Sequence, residues 1–289
     1  MVAAMTSFDA LAFKKTTHGQ WNAVADRWNA WGPLLDSWLG PVSEALLDMA
    51  KVGPGHRVLH IAGGSGQEAL QTARRVGPGG YVLTTDLSEA LTALAAANLE
   101  MSGYKNAAAR VMDGEQIALT GEPFDAVLSR VGLIYFPDQL GAMEHQVAAL
   151  RPGGHVGAIV YATPEECRFF SDPVGVIRRH AALPPPSPGQ PGPFSLGAPG
   201  RIEALFDAAG LVDVQVRKIN APVVLESATD CLRFEQESFG ALHQMLGKLD
   251  EAAKAQAWTE VGEKLRAFES DGRFEGPCVM IAAVGRKPS

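Results

Sequence analysis

Apolar positions between residues 21 and 49 recur at helical spacing. Trp21, Ala25, Trp28 and Trp31 fall at i, i+4, i+7 and i+10, and Leu35, Trp38, Leu39, Val42 and Leu46 continue the series. The pattern predicts two helices broken near Gly32-Pro33, because proline donates no amide hydrogen and clashes with the preceding turn. From residue 58 the period changes. VLHI is a short unbroken apolar run, as expected of a strand covered on both faces, and it leads through AGGSG into a helix over residues 67–75. The alternation repeats with GGYVLTTD as a second strand, residues 88–102 as an alanine-rich helix and AAARVMD as a third strand. FDAVLSRVGLIYF holds a fourth strand, residues 138–150 a helix, and PGGHVGAIVYA a fifth strand. Regular alternation of this kind predicts an α/β fold with a mostly parallel sheet between layers of helices.

After Ala162 the rhythm stops. The segment EECRFFSDPVGVIRRHAALPPPSPGQPGPFSLGAPG has seven prolines between Pro184 and Pro199, so it cannot extend the sheet and reads as an insertion over one end of it. RIEALFDAAG then predicts a helix with a glycine stop and LVDVQVRKI a strand. Residues 227–270 are mostly helical in pattern, and PCVMIAAVGRK closes the chain as a strand able to pair antiparallel with the one before it.

Composition narrows the function. A chain of 289 residues, 46% hydrophobic and 20% charged, is ordinary globular material. The net charge of -7 argues against a nucleic-acid partner, which calls for a basic face. Cys167, Cys231 and Cys278 stand far apart with no CxxC or Cys/His spacing, so neither a disulfide framework nor a metal site is expected. The opening residues MVAAMTSFDALAFKK put their lysines after the apolar run, the wrong order for a secretory signal, and no window approaches a membrane span. Reducing cytoplasm is the expected compartment. Nothing in the pattern decides the oligomeric state, and a homodimer stays open.

The chemistry concentrates at the first strand's tip. Gly64-Ser65-Gly66-Gln67-Glu68-Ala69 matches a GxGxx(G/A) turn, and Asp86 follows Gly66 by twenty residues at the end of the next strand, placed to bond two ribose hydroxyls. Pyrophosphate at this turn would want nearby cations. No Lys or Arg lies between Leu59 and Ala73, and Glu68 sits in the helix's first turn, facing a sulfonium cofactor or simply solvent.

These residues resemble the class I S-adenosylmethionine-dependent methyltransferases, in the branch that includes ubiquinone- and menaquinone-biosynthesis enzymes; the similarity runs over residues 20–219 and the closing strand. The resemblance implies a Rossmann-like seven-stranded sheet, mostly parallel with an antiparallel last strand. It divides the chain into a helical lid (1–50), a cofactor-binding core (51–163), and substrate-covering insertions with the final two strands (164–289). It implies S-adenosylmethionine as cofactor, no metal, and a small-molecule acceptor. On this pattern Ala62, Gly63, Gly64 and Gly66 line the methionine moiety, with His60 standing where the family usually has an acid and Ala62 where it has its first glycine. Asp86 takes the ribose and Leu87 packs on adenine, while Met112-Asp113-Gly114 supplies the acid that accepts from the adenine amino group. Arg130, past the fourth strand, pairs with the cofactor carboxylate. Trp21 covers the cofactor, and Trp28, Tyr135 and His180 are candidates for the lid and acceptor wall, beneath a proline-rich loop (184–193) that also suits a partner domain.

Methyl transfer needs alignment more than covalent catalysis. An oxygen or nitrogen acceptor needs a base, for which His18, before the lid helix, stands ahead of Tyr135, His145, His180 and His243; a carbon acceptor needs only a weak one. Two other readings fit the glycine turn: a nicotinamide-dependent oxidoreductase, and a cofactor-binding protein of this fold without turnover.

Overall fold

The computed structural model describes residues 8–186 and 189–289. Residues 1–7, on which the secretory-signal reading partly rests, and residues 187–188 of the proline-rich loop lie outside the described residues.

Five strands come from the alternating part of the sequence: β1 (Arg57–Ile61), β2 (Tyr81–Asp86), β3 (Ala107–Val111), β4 (Phe124–Arg130) and β5 (Leu150–Tyr161). With β6 (Val212–Asn220) and β10 (Val279–Arg286) they form one sheet in the order β3-β2-β1-β4-β5-β10-β6. All neighbours from β3 to β5 run parallel, and β10 is antiparallel to both β5 and β6. The expected mostly parallel sheet with an antiparallel last strand is therefore the observed one. β1 is buried along almost all its length, which is why its sequence is a continuous apolar run rather than an alternation.

Helices α2 (Gly32–Met49), α3 (Gln67–Val76) and α4 (Glu89–Met101) group together, and α5 (Gln139–Ala149) and α7 (Arg201–Ala208) form a second group. The helix break falls at Trp31, with Pro33 in the first turn of α2, where its missing N–H costs nothing. α2 is buried against β5 and β10, with Leu35, Leu39, Val42, Leu46 and Leu47 almost fully enclosed, so only the first of the two N-terminal helices is left to cover the sheet's end. That helix, α1 (Ala10–Ala30), begins eleven residues before Trp21 and rests on α4, α8 (Ala228–Ser238) and α9 (Gly240–Met245).

One helix and one small sheet escape the sequence pattern. α6 (Arg168–His180) lies inside the segment read as an irregular insertion; it carries Pro173 within the helix and packs along α10 (Glu251–Leu265). A small sheet, β7 (Val223–Leu225), β9 (Arg273–Gly276) and β8 (Glu269–Ser270), is paired antiparallel. Its hairpin turns at Asp271-Gly272, both at positive φ (52° and 72°), the Asp-Gly signature of a two-residue turn, here masked by the helical run before it.

The insertion helices enclose an aromatic cluster. Trp38 lies edge-on to Phe169 and Phe234 and donates its Nε1–H to the Ala221 carbonyl at 2.8 Å. Next to Phe234 on α8, Glu235 is fully buried and neither carboxyl oxygen has a hydrogen-bond partner among the described residues. Burial pushes this carboxyl well above its ordinary value of 4.5, so it stays protonated in the folded chain. Below pH 4.5 both states hold the proton. Between 4.5 and the higher folded value the unfolded chain ionises and the native one does not, so over that window native stability falls with pH, by at most about 1.4 kcal/mol per pH unit. Glu235→Gln is expected to remove that slope; urea titrations from pH 5 to pH 8 should show the variant gaining on the wild type as pH rises, and parallel curves would refute it.

Candidate functional site

The carboxyl ends of β1, β2, β3 and β4 open into one cavity of about 950 Å³, mouth included. It lies where the strand order reverses between β1 and β4, the usual place for a ligand in an open α/β sheet. Two non-glycine residues on its wall, Ala62 after β1 (φ 54°) and Val131 after β4 (φ 55°), occupy the left-handed region. Such conformations cost about 1–3 kcal/mol each, and here both face the same space.

Asp86 forms the cavity's polar floor. Its Oδ2 accepts the Gly64 N–H at 3.0 Å and its Oδ1 the Ser88 N–H at 2.9 Å, which ties the glycine turn to the end of β2. Burial raises this carboxyl above its ordinary value, opposed by the backbone donors of Ser88, Gly64 and Leu87. Leu87, Met112, Gly114, Trp21, Trp28 and Tyr135 stand on the same wall. Trp21 meets Trp28 edge-on at 5.3 Å and Tyr135 at 6.1 Å, and a side chain on Gly64 would approach the Trp28 indole nitrogen. Burial pushes the Tyr135 phenol up, so it holds its proton.

The expected glycines divide by task. Gly64 lines the cavity, whereas Gly63 and Gly66 do not. A Cβ on Gly63 would lie 2.0 Å from Thr84 Oγ1, and Gly66, at φ 91°, starts α3 with its Cα face against Ala95 of α4. Both serve close packing beneath the loop.

His60 and Glu68 also point away from the cavity. His60 Nε2 lies 2.9 Å from Thr72 Oγ1, and Nδ1 lies 3.2 Å from Glu68 Oε2, all enclosed between β1 and α3. Burial alone would raise the Glu68 carboxyl, but His60 and then Arg130 outweigh it and hold it below its ordinary value. Glu68 therefore neither faces solvent nor gives the loop an acidic lining, contrary to both sequence expectations. The acid missing from position 60 has instead entered the interior from α3.

Arg130 faces the cavity, donates to Ser43 Oγ at 3.1 Å, and has no carboxylate within 4 Å among the described residues. Asp113 also lines the cavity but is engaged: Lys14 of α1 pairs with its Oδ2, and its Oδ1 accepts the Glu115 N–H at 3.0 Å. Lys14 reaches Glu115 as well, at 2.6 Å. His18, the expected base, lines the cavity, yet its Nε2 is 2.7 Å from Glu89 Oε2 and 2.9 Å from Asn22 Nδ2. Glu89 is pulled down to about 2 by its own backbone N–H and then by His18 and Asn22. In this arrangement His18 clasps α1 to α4. His180 is not brought to the cavity: its Nε2 lies 2.8 Å from Glu260 of α10. His243 and His145 are likewise absent from the cavity wall.

Lys14, Glu115, Tyr161 and Phe239 are among the residues that also line the wall without having been expected. Lys14 had a signal, since it precedes His18 by four residues and Trp21 by seven on one helical stripe. Tyr161 and Phe239 had none. Among the described residues no three His, Cys, Asp or Glu side chains gather as a metal site, the three cysteines are free thiols, and no helix is long and apolar enough to cross a membrane.

Residues 58–154 match the family described as "Methyltransferase domain". The matched domain belongs to the class I S-adenosylmethionine-dependent methyltransferases. This chain is 29% identical over 186 residues to nocamycin O-methyltransferase of Saccharothrix syringae, covering 61% of this chain and 66% of that protein. It is 34% identical over 134 residues to the ubiquinone/menaquinone biosynthesis C-methyltransferase of Bordetella parapertussis, covering 46% of this chain and 52% of that one. The match thus spans between half and two thirds of these relatives' length. Its fold is similar to phosphoethanolamine N-methyltransferase 2 of Haemonchus contortus, with a TM-score of 0.58 at 18% identity over 93% of this chain and 60% of that chain. It is similar also to the YcgJ protein of Bacillus subtilis, with a TM-score of 0.56 at 18% identity over 86% and 98%.

Proposed function

We propose that this methyltransferase transfers a methyl group from S-adenosylmethionine to a small-molecule acceptor. The observation that carries the reading is Asp86: a half-buried carboxylate at the tip of β2, already fixed by the Gly64 and Ser88 amides and still open to the cavity. The cavity's groups match the parts of the cofactor. Asp86 suits a ribose diol, Leu87 and Met112 the faces of adenine, Asp113 its amino group, and Arg130, with no carboxylate within 4 Å among the described residues, the cofactor's carboxylate. When bound, S-adenosylmethionine supplies a methyl group on a positively charged sulfur, a good leaving group. The chain's residues then align the acceptor and keep water out. Trp21, Trp28, Tyr135 and Phe239 give an aromatic enclosure suited to that cationic centre. Relatives named for O- and C-methylation support a small-molecule acceptor and leave the atom open. The proposed compartment is the cytoplasm.

A nicotinamide-dependent oxidoreductase predicts a different nucleotide in the cavity, whereas a binding protein without turnover predicts the same one and no transfer. Denaturing the purified protein and identifying the released nucleotide by mass spectrometry should yield S-adenosylhomocysteine, and NAD would overturn the reading. A tritiated-methyl assay over phenols, quinols and amines should then show transfer, which a binding protein without turnover would not.

α1 is the proposed lid, held by Lys14 on Asp113 and Glu115 and by His18 and Asn22 on Glu89. Lys14→Ala should release S-adenosylhomocysteine several-fold faster in stopped-flow fluorescence of Trp21 and Trp28, while stability falls by less than about 1 kcal/mol because the pair is partly solvated. An unchanged off-rate would remove Lys14 from the lid.

A further inference from the structure

A second chamber lies against the first, and Thr17 and Tyr135 line both. It is the larger, about 1680 Å³ with its mouth included. Phe13 of α1, Phe170 and Val174 of α6, Phe194 of the proline-rich segment, and Leu242 and Met245 of α9 make its apolar wall. Its charges are one-sided. No aspartate or glutamate lines it among the described residues, although the chain has 32 acidic residues, and two arginines do, Arg178 and Arg201.

The last turn of α6 shows how selective this is. Arg178, Arg179 and His180 are consecutive, and Arg179 and His180 both turn to Glu260 on α10. Arg178 turns the other way, into the chamber, half-buried and with no carboxylate within 4 Å among the described residues. Arg201, at the start of α7, is exposed and likewise without a carboxylate at that range among the described residues, so it adds positive charge at the chamber's rim while Arg178 is the one that loses water. A guanidinium that loses water without gaining a counter-ion is disfavoured, and its planar fork is suited to carboxylate or phosphate.

We propose that this chamber receives the acceptor and that Arg178 and Arg201 select one bearing an anionic group, carboxylate or phosphate, on an apolar body. Anchored there, the acceptor presents its other end at the Thr17 and Tyr135 wall shared with the first cavity. The word acceptor rests on the methyl-transfer reading; the preference for anions is the chamber's own property.

The test is calorimetric. Naphthalene carboxylate, naphthyl phosphate, neutral naphthalene methanol and cationic naphthylmethylamine are titrated into the full-length wild type and into the Arg178→Gln/Arg201→Gln variant. Each titration is run with and without S-adenosylhomocysteine, and both proteins are checked for equal melting temperatures. At least one anion should bind about tenfold tighter than the alcohol and the amine, and the double variant should bring all four within about twofold, leaving S-adenosylhomocysteine affinity unchanged. Whichever anion leads names the group selected. Equal binding of the alcohol or amine, an anion preference that survives in the double variant, or no binding by any probe would overturn the proposal. Failure of S-adenosylhomocysteine to bind the wild type would instead sink the methyl-transfer reading, and the anion arms would still report on the chamber.

Discussion

Asp86→Ala is expected to abolish measurable S-adenosylhomocysteine binding, a loss of about a hundredfold or more. The carboxylate does two things that no other side chain replaces. It offers its remaining acceptor sites to a sugar diol, and hydrogen bonds to a charged group contribute about 1.5–3 kcal/mol each. It also fixes the Gly64 and Ser88 amides, so its removal frees the turn that closes the cavity. Asp86→Asn separates the two effects. The amide keeps one acceptor oxygen for the backbone, so the fold and turn should persist while affinity drops by roughly tenfold. Calorimetry on the three proteins checks this, and equal heats in the wild type and Asp86→Ala would contradict both the site and the reading built on it.

The second large effect lies beneath the site, where His60→Leu should destabilise the protein by about 3–5 kcal/mol, because it strands the Glu68 carboxylate in the interior with no partner at contact distance. The signs with pH are opposite in the two proteins. In the wild type the Glu68 carboxyl is held below 4.5, so its stabilisation is present above pH 4.5 and is lost as pH falls through the folded value. In the variant, burial without His60 raises that carboxyl, so the folded state binds the extra proton and stability falls as pH rises above 4.5. The gap between wild type and variant should therefore narrow toward low pH. His60→Leu/Glu68→Leu should recover most of the loss, since replacing both members of a buried pair by apolar groups is often neutral. Urea titrations of the four members of the cycle measure this; a double variant as unstable as the single one would show that the histidine acts through packing and not through Glu68.

Much of the fold was legible because its signals are local. A strand covered on both faces must be apolar throughout, so VLHI and AIVY stand out, and the helices between them carry caps such as Ser88 and Asp138 at their first residues. The GxG turn and the strand-end Asp86 and Asp113 mark the cofactor half of the cavity for the same reason, being fixed by backbone geometry within a few residues. α6 was hidden by the prolines that follow it, and the Asp271-Gly272 hairpin by the helical pattern that precedes it.

The amino-acid sequence by itself determined the strands of the main sheet, their mostly parallel character and the residues at the strand tips, because each is signalled by periodicity and turn chemistry over a dozen positions or fewer. Tertiary structure alone decided which way side chains face once the strands are laid down. It turned His60 and Glu68 inward to each other, drew Lys14 across ninety-nine positions to Asp113, engaged His18 with Glu89, sent His180 to Glu260 and left Arg178 to the second chamber. Such partnerships are set by packing between segments remote in the chain, where burial makes the choice of partner energetically decisive and where no local pattern records it.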